Sequence, residues 1–163
     1  MEDILIRPIQ PSDDAVMASI IRRSLEEFGA NRPGTVYFDE STDHLFSLFQ
    51  EKPGSAYFVA EKNAAILGGA GFYPTQGLPA ETCELVKMYL KPEARGLGLG
   101  RKLIQHCLTA ARNAGYSSIY LETMPELKKA IRVYEKFGFT YLNGPMGNSG
   151  HNGCDVWMKM ELT

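Results

Sequence analysis

Near its middle the chain reads Arg95-Gly96-Leu97-Gly98-Leu99-Gly100-Arg101. Apolar residues dominate positions 81–90 before this stretch and predict a central strand, and those after it recur at helical spacing. Glycines let a backbone come close to a ligand and point consecutive N–H groups at one spot, and a helix N-terminus adds a partial positive charge there. The unit therefore predicts a pyrophosphate site, with Arg95, Arg101 and Lys102 as flanking cations.

Other glycine-rich turns differ from this one in position or in the residues that follow. A nucleoside-triphosphate loop ends in Gly-Lys-Ser/Thr, whereas Arg101 follows Gly100 here, which argues against a kinase or an ATPase. A dinucleotide-binding turn follows its strand directly and places its third glycine one position later. Glu122 does lie about 20 residues on, where such a fold places a ribose-binding acid, so this alternative stays open. A plain tight turn also stays open, although it needs only one glycine.

A second block of sequence, in a predicted helix, reads Ala130-Ile131-Arg132-Val133-Tyr134-Glu135-Lys136-Phe137-Gly138-Phe139. Together the two blocks resemble the GNAT superfamily of N-acetyltransferases, whose acetyl-CoA motif is Arg/Gln-x-x-Gly-x-Gly/Ala and whose later helix reads Ala-x-x-x-Tyr-x-x-x-Gly-Phe. The likeness is close over residues 84–139 and extends in outline over nearly the whole chain. Leu127 departs from the family, because many members carry Asn there. The contact of that Asn with the CoA arm is therefore not expected.

The resemblance implies a single acetyltransferase domain over residues 1–163, in the mixed α/β class. Its sheet is expected to be mixed but mostly antiparallel, with one splayed pair of parallel strands and with helices on both faces. The periodicity of apolar residues agrees with this order of elements. It predicts strands at 4–9, 56–60, 65–73, 81–90, 118–122 and 155–162, helices at 12–28, 42–49 and 126–137 and one that runs to 114, and loops at 31–41 and 143–153.

The resemblance further implies acetyl-CoA as the cosubstrate. In this fold the pantetheine arm lies between the two splayed strands, here 81–90 and 118–122, and forms sheet-like hydrogen bonds with exposed backbone. An amine would attack the thioester carbonyl directly, and a backbone N–H of the first strand would meet the developing oxyanion, with no covalent enzyme intermediate. The residues implied to bind the cosubstrate are Met88, Tyr89, Leu90, Arg95, Gly96, Leu97, Gly98, Leu99, Gly100 and Arg101.

Two side chains are the catalytic candidates that the family pattern implies. Tyr134 occupies the motif tyrosine, whose hydroxyl acts as general acid towards the departing thiolate in several members. Glu84 lies on the strand before the CoA-contacting backbone, where several members place a glutamate that acts as the base. Glu122, on the adjacent strand, is the second candidate for the base, and a chain of ordered water is the third. A purely packing role for Tyr134 stays open.

Composition narrows the class of protein and of partner. Lys and Arg number 17 and Asp and Glu 19, so the formal net charge is −2 and no basic excess points to nucleic acid. No apolar run reaches roughly 18 residues, and the acidic start Met1-Glu2-Asp3 is unlike a secretory signal, so we expect a cytoplasmic protein without a membrane partner. The cysteines form no CxxC pair, and His44, His106 and His151 lack metal spacing, which argues against zinc, disulfides and any other metal.

The favoured hypothesis is an acyl-CoA-dependent N-acyltransferase. It would move an acetyl group from acetyl-CoA to a primary amine of a small molecule or a peptide, by direct attack in a ternary complex. The first alternative is a non-catalytic module that binds or senses acyl-CoA. The second is a nicotinamide-dependent oxidoreductase, which the glycine pattern alone leaves open.

The acceptor is predicted to bind between the first two helices and the loops 31–41 and 143–153, because pocket walls are often formed by loops of that size. His151 and Asp155, near the second loop, are candidate specificity residues. The acidic residues around the first loop would attract a cationic amine, but they also fit a solvated surface. They are Asp39, Glu40 and Asp43. A homodimer stays open as well, because a chain-ending strand can pair across a dimer or within its own sheet.

Overall fold

The computed structural model describes residues 3–149 and 153–162. In these residues a seven-stranded sheet carries helices on both of its faces. The strands are β1 (Leu5–Pro8), β2 (Ala56–Lys62), β3 (Ala65–Tyr73), β4 (Thr82–Leu90), β5 (Ser118–Thr123), β6 (Thr140–Leu142) and β7 (Val156–Glu161). The helices are α1 (Asp14–Glu27), α2 (Leu45–Gln50), α3 (Leu99–Asn113) and α4 (Lys128–Phe137), with short 3₁₀ turns between some of the elements.

The sheet has the order β1-β2-β3-β4-β5-β7-β6. Within the described residues β4 and β5 are its one parallel pair, and the other neighbouring pairs are antiparallel. The tight turn between β2 and β3 places Asn63 and Ala64 at positive φ, as two-residue hairpins require. The parallel pair needs a crossover connection, which α3 supplies. The predicted mixed, mostly antiparallel sheet is confirmed.

Alternation along β2 divides the core between the two faces of the sheet. Tyr57 and Val59 pack with α1 and α2, whereas Phe58 and Ala60 pack with α3 and α4. Burying one leucine side chain stabilises the folded state by about 1.5–3 kcal/mol. The apolar stripe of α3 therefore contributes a large part of the stability of the core on the α3/α4 face. That stripe consists of Leu99, Leu103, Ile104, Cys107, Leu108 and Ala111. Among the helices that the structure describes, none combines the length and the hydropathy that a bilayer crossing needs.

β4 and β5 pair only at their beginnings and then separate. The paired residues are Thr82 with Ser118, Cys83 with Ile119, and Glu84 with Tyr120. The register of β4 with β3 also shifts, between Gly69 and Gly71, and Lys87 takes a positive φ of 53° there. This irregularity is a β-bulge, which bends the strand that contains it. The bend agrees with the separation of β4 from β5, and the predicted splayed pair is therefore present.

Two segments differ from the sequence-based expectation. β6 was not predicted, because a three-residue strand at the edge of the sheet is too short to show an alternating pattern. The second helix begins at Leu45 rather than at residue 42, and the residues before it form the 3₁₀ turns Val36–Phe38 and Glu40–Asp43. The loop between α1 and α2 thus has its own local order.

The close packing of β3 against β2 can be tested at Gly71. A Cβ there would lie 2.5 Å from the carbonyl oxygen of Ala56 and 2.6 Å from Cδ1 of Tyr57. We expect Gly71→Ala to lower the free energy of unfolding by about 1–3 kcal/mol, as overpacking does, measured by urea denaturation. Gly144→Ala is the control, because a Cβ at Gly144 would meet no atom within 4 Å. Equal stabilities for the two variants would contradict the close approach.

Candidate active site

A cavity of about 470 Å³ opens where β4 and β5 separate. Its walls come from β4, from the end of β5, from the turn at 95–101, from α4 and from the last turn of α1. This volume lies in the range of small-molecule and cofactor sites. Ten of the predicted site residues line it together: Glu84, Met88, Tyr89, Leu90, Arg95, Gly96, Gly98, Gly100, Arg101 and Tyr134.

Two predicted cosubstrate residues turn their side chains away from the cavity. Leu97 is 64% exposed to solvent. Leu99 begins α3 and is buried in the core beneath that helix. For both residues only the backbone remains a candidate for ligand binding.

Two glycines determine the path of the turn at 95–101. Gly96 and Gly98 have φ values of 79° and 78°, in the left-handed region that other residues adopt only with strain. Gly98 is the N-cap of α3 and offers no capping side chain, so the first N–H groups of the helix are left to other partners. A Cβ at either glycine would meet no protein atom within 4 Å. The turn therefore presents an open backbone surface that can bind an anion.

Arg95 fastens this turn to α1. The partners of its guanidinium are the carboxylate of Glu27 (2.7 Å), Oγ of Ser24 (3.2 Å), the carbonyl oxygen of Leu90 (3.0 Å) and the ring of Phe28 (5.0 Å to the centroid). These contacts direct its charge towards α1. Arg101, by contrast, is exposed at the rim of the cavity. The structure thus gives the two arginines of the motif different surroundings.

Glu84 lies at the point where β4 and β5 part. The residue is 4% exposed, and its Oε1 accepts a hydrogen bond from the Thr75 hydroxyl at 2.6 Å. Its backbone pairs with Tyr120 at the last rung of the parallel ladder. A buried carboxylate that lines a cavity at such a point can take a proton from a bound amine.

Glu122, the second candidate for the base, lines the same cavity but is engaged in a network. The Tyr120 hydroxyl donates to its Oε2 at 2.6 Å, and the Ser149 hydroxyl donates to its Oε1 at 2.5 Å. The backbone N–H of Met146 donates in turn to the Tyr120 hydroxyl at 3.2 Å. Glu122 thus holds the segment 143–149 against β5.

Tyr134 brings a phenol to the cavity from α4. It is 6% exposed, and its ring packs edge-on against Phe139 with 5.7 Å between centroids. Gly138, at a φ of 106°, ends α4 and allows the chain to bring Phe139 back against it. Burial raises the pKa of the Tyr134 phenol well above its ordinary value. The hydroxyl therefore keeps its proton at neutral pH and can act as a donor.

Lys87 is a candidate functional residue that the sequence analysis missed. Lys87 lines the cavity, and its Nζ lies 4.0 Å from Oδ2 of Asp39, in the loop between α1 and α2. Burial lowers the pKa of the Lys87 ammonium, while the carboxylates of Asp39 and Glu84 act in the opposite direction. A charged residue inside the apolar run 85–90 was the signal that could have found it.

The two predicted acceptor loops are joined beside the cavity by Arg32. Its guanidinium pairs with Glu126 at 2.5 Å and with Asp155 at 3.0 Å, and it donates to the carbonyl oxygen of Gly153. Asp155, a candidate specificity residue, is therefore held in an ion pair. The other candidate, His151, lies outside the described residues.

The cysteines are free thiols. Burial raises the pKa of Cys83 and of Cys154 to about 12. Few thiolates are then present at neutral pH, so Cys154 is a poor nucleophile although it lines the cavity. In the part of the chain that the structure describes, no group of three or more His, Cys, Asp or Glu side chains could hold a metal ion.

Comparison with solved structures supports the fold. A GNAT-family acetyltransferase from Staphylococcus aureus Mu50 has a TM-score of 0.85 at 19% identity, over 99% of this chain and 100% of that chain. The PaiA N-acetyltransferase from Thermoplasma acidophilum, solved in complex with coenzyme A, has a TM-score of 0.77 at 17% identity, over 98% and 99% of the two chains. At such identities the likeness shows a shared fold.

Comparison of sequences reaches further than the fold. The chain is similar over 159 residues to the uncharacterized N-acetyltransferase YjgM of Escherichia coli K12, with 36% identity, covering 97% of this chain and 95% of the relative. The Acetyltransferase (GNAT) family matches residues 19–139, which include both of the motifs quoted above. The resemblance seen in those motifs is therefore confirmed, and the chain belongs to the acetyltransferase (GNAT) family.

Proposed function

We propose that the chain is an acyl-CoA-dependent N-acyltransferase that moves the acetyl group of acetyl-CoA to a primary amine of a small molecule or a peptide, by direct attack in a ternary complex. Membership of the family supports acetyl transfer as the reaction class and acetyl-CoA as the cosubstrate. One observation carries the proposal: Glu84 and Tyr134, a buried carboxylate and a buried phenol, line one cavity where β4 and β5 separate.

The wall of the cavity offers groups that suit the parts of acetyl-CoA. Beyond Glu84, the described part of β5 forms no ladder with β4, so backbone groups of Met88, Tyr89 and Leu90 lie along a strand edge that can bind pantetheine amides. The open backbone of the turn suits a diphosphate, and the exposed Arg101 adds positive charge. Leu127 lines the cavity and offers an apolar contact there, instead of a hydrogen bond.

The proposed chemistry divides the proton transfers between two residues. Bound acetyl-CoA supplies a thioester whose carbonyl carbon is the electrophile. Glu84 removes a proton from the acceptor ammonium, so that the nitrogen lone pair can attack. Tyr134 donates its hydroxyl proton to the departing sulfur and regains a proton from solvent, while the second proton of the attacking nitrogen is released. Backbone N–H groups in the second half of β4 stabilise the negative charge on the carbonyl oxygen.

Release of free CoA thiol tests the proposed reaction directly. The purified protein is mixed with acetyl-CoA and with amino acids, polyamines, aminoglycosides or short peptides, and binding of acetyl-CoA is measured separately by calorimetry. We expect thiol release with at least one class of amine. Binding of acetyl-CoA without thiol release for any amine would contradict an enzyme and would favour the acyl-CoA-sensing alternative.

The two catalytic roles are tested by substitution. We expect Tyr134→Phe to lower kcat by about 10²- to 10⁴-fold, the range of general acid catalysis, and to leave the Kd of acetyl-CoA unchanged, because phenylalanine keeps the ring packed against Phe139. Tyr141→Phe, on the exposed edge strand β6, is the matched control. A wild-type kcat for Tyr134→Phe would rule out its role as acid.

Glu84→Gln is expected to lower kcat at neutral pH, because the amide cannot accept the ammonium proton. The Kd of acetyl-CoA is the internal control, since the proposed role concerns only the acceptor. Thr75 can still donate to the amide oxygen of glutamine, so the local hydrogen bond is kept. A wild-type kcat for this variant would move the base to Glu122 or to a chain of water molecules.

The role of the turn at 95–101 in acetyl-CoA binding is tested by placing alanine at one of its left-handed backbone positions. Gly98→Ala and the control Gly115→Ala both place a Cβ at positive φ with no atom within 4 Å, but Gly115 lies at the far end of α3. We expect each variant to lose about 1–2 kcal/mol of stability from backbone strain. Only Gly98→Ala is expected to weaken acetyl-CoA binding, by about tenfold or more, which is about 1.4 kcal/mol. Equal affinities would remove the turn from the cosubstrate site.

A further inference from the structure

Among the described residues of the cavity wall, Lys87 is the buried cation. Its side chain is 5% exposed, whereas Arg101 and Lys128 on the same wall are exposed. It stands at the bulge of β4, and the Tyr57 hydroxyl donates to its carbonyl oxygen at 2.6 Å. The backbone of Lys87 is therefore held by a side chain that reaches from β2 across the glycines of β3.

The ammonium of Lys87 has donors that no described residue uses. Three N–H groups are costly to bury without acceptors. The closest carboxylate oxygen, Oδ2 of Asp39, lies 4.0 Å from Nζ, which is beyond hydrogen-bond range, and no described residue accepts a hydrogen bond from this Nζ. Lys87 is one of the residues that line the cavity, so a ligand bound there can supply an acceptor.

The position of Lys87 points to the acceptor amine rather than to acetyl-CoA. Asp39 belongs to the loop between α1 and α2. Val36 and Tyr37 of the same loop pack in the core on the face of the sheet that carries α1 and α2. Tyr134 and the helix that follows the turn at 95–101 pack in the core of the other face. Lys87 thus faces the side of the sheet opposite to the core that contains Tyr134 and α3.

We propose that the acceptor is an amino acid, whose amine is deprotonated by Glu84 and whose carboxylate is bound by Lys87; this inference rests on the proposed function. The carboxylates of Asp39 and Glu84 both lie near enough to favour the charged form of Lys87. An amino acid zwitterion adds no net charge. Its ammonium group matches Glu84, and its carboxylate matches Lys87. A phosphorylated acceptor would add a dianion beside two carboxylates, and a polyamine would leave Lys87 without an acceptor.

Matched acceptors test the carboxylate requirement. The standard L-amino acids are compared with their carboxamides and with the corresponding decarboxylated amines, by thiol release from acetyl-CoA. We expect the best amino acid to exceed its own amide in kcat/KM by about 10- to 100-fold, the effect of one hydrogen bond to a charged group. Equal kcat/KM values for acid and amide would overturn the inference and leave the proposed function intact.

Substitution of Lys87 tests whether this residue binds the carboxylate of the acceptor. Lys87→Met keeps an unbranched apolar stem, and we expect it to remove the preference by lowering kcat/KM for the amino acid and not for its amide. Lys52→Met, at an exposed position between α2 and β2, is the matched control. The Kd of acetyl-CoA and thermal unfolding are measured for both variants. A preference that survives in folded Lys87→Met would overturn the assignment.

A second variant and a binding measurement cover the remaining outcomes. Asp39→Asn keeps the Oδ1 acceptor used by Ser41 but removes the charge that competes for Lys87, so we expect a lower KM for the amino acid and an unchanged KM for its amide. An unchanged KM for the amino acid would count against the inference.

If no amine is acetylated, the proposed function fails. Calorimetric titration of amino acids into the complex with CoA then decides the carboxylate site alone, since binding must be lost in Lys87→Met.

Discussion

The separation of β4 from β5 after a short parallel ladder is the constraint on which the site depends. Backbone N–H and C=O groups inside a protein require partners, and two neighbouring strands normally supply them to each other. Here the ladder ends at Glu84 and Tyr120. The strand edges beyond that rung face a cavity instead of each other, so a ligand with amide groups can take the place of a strand. Glu84 lies at the vertex of this opening and Lys87 a little further along it.

Long-range polar contacts hold the opening in shape. Arg95 joins the turn at 95–101 to α1, Glu122 joins β5 to the segment 143–149, and Arg32 joins the loop after α1 to the segment before β7. Each of these contacts is partly buried or exposed and none lies deep in the core. An isolated ion pair at the surface contributes only about 0–1 kcal/mol. Their joint effect is positional, because they fix segments that the sheet itself does not pair.

The parts of the site that sequence could predict are those determined by local chemistry. The glycines of the turn suit left-handed backbone, and Tyr134 stands four positions before Gly138, as in the family motif, so both could be recognised without knowledge of tertiary contacts. For Lys87 the sequence shows only a charged residue inside an apolar run, and the direction of its side chain could not be predicted in this way. Strict alternation along β4 would place it on the face opposite to Glu84 and Val86, and only the bulge, which depends on the register with β3, changes its direction.

The contact of Arg95 with α1 has a consequence for redesign of the acceptor preference. Ser24 and Phe28 line the cavity and also hold the guanidinium that anchors the turn at 95–101. Under the proposed function, altering the last turn of α1 to admit a new amine would therefore disturb the binding of acetyl-CoA at the same time. Val36, in the segment that follows α1, lines the cavity but is not a partner of Arg95, so a change there would leave the anchor of the turn intact.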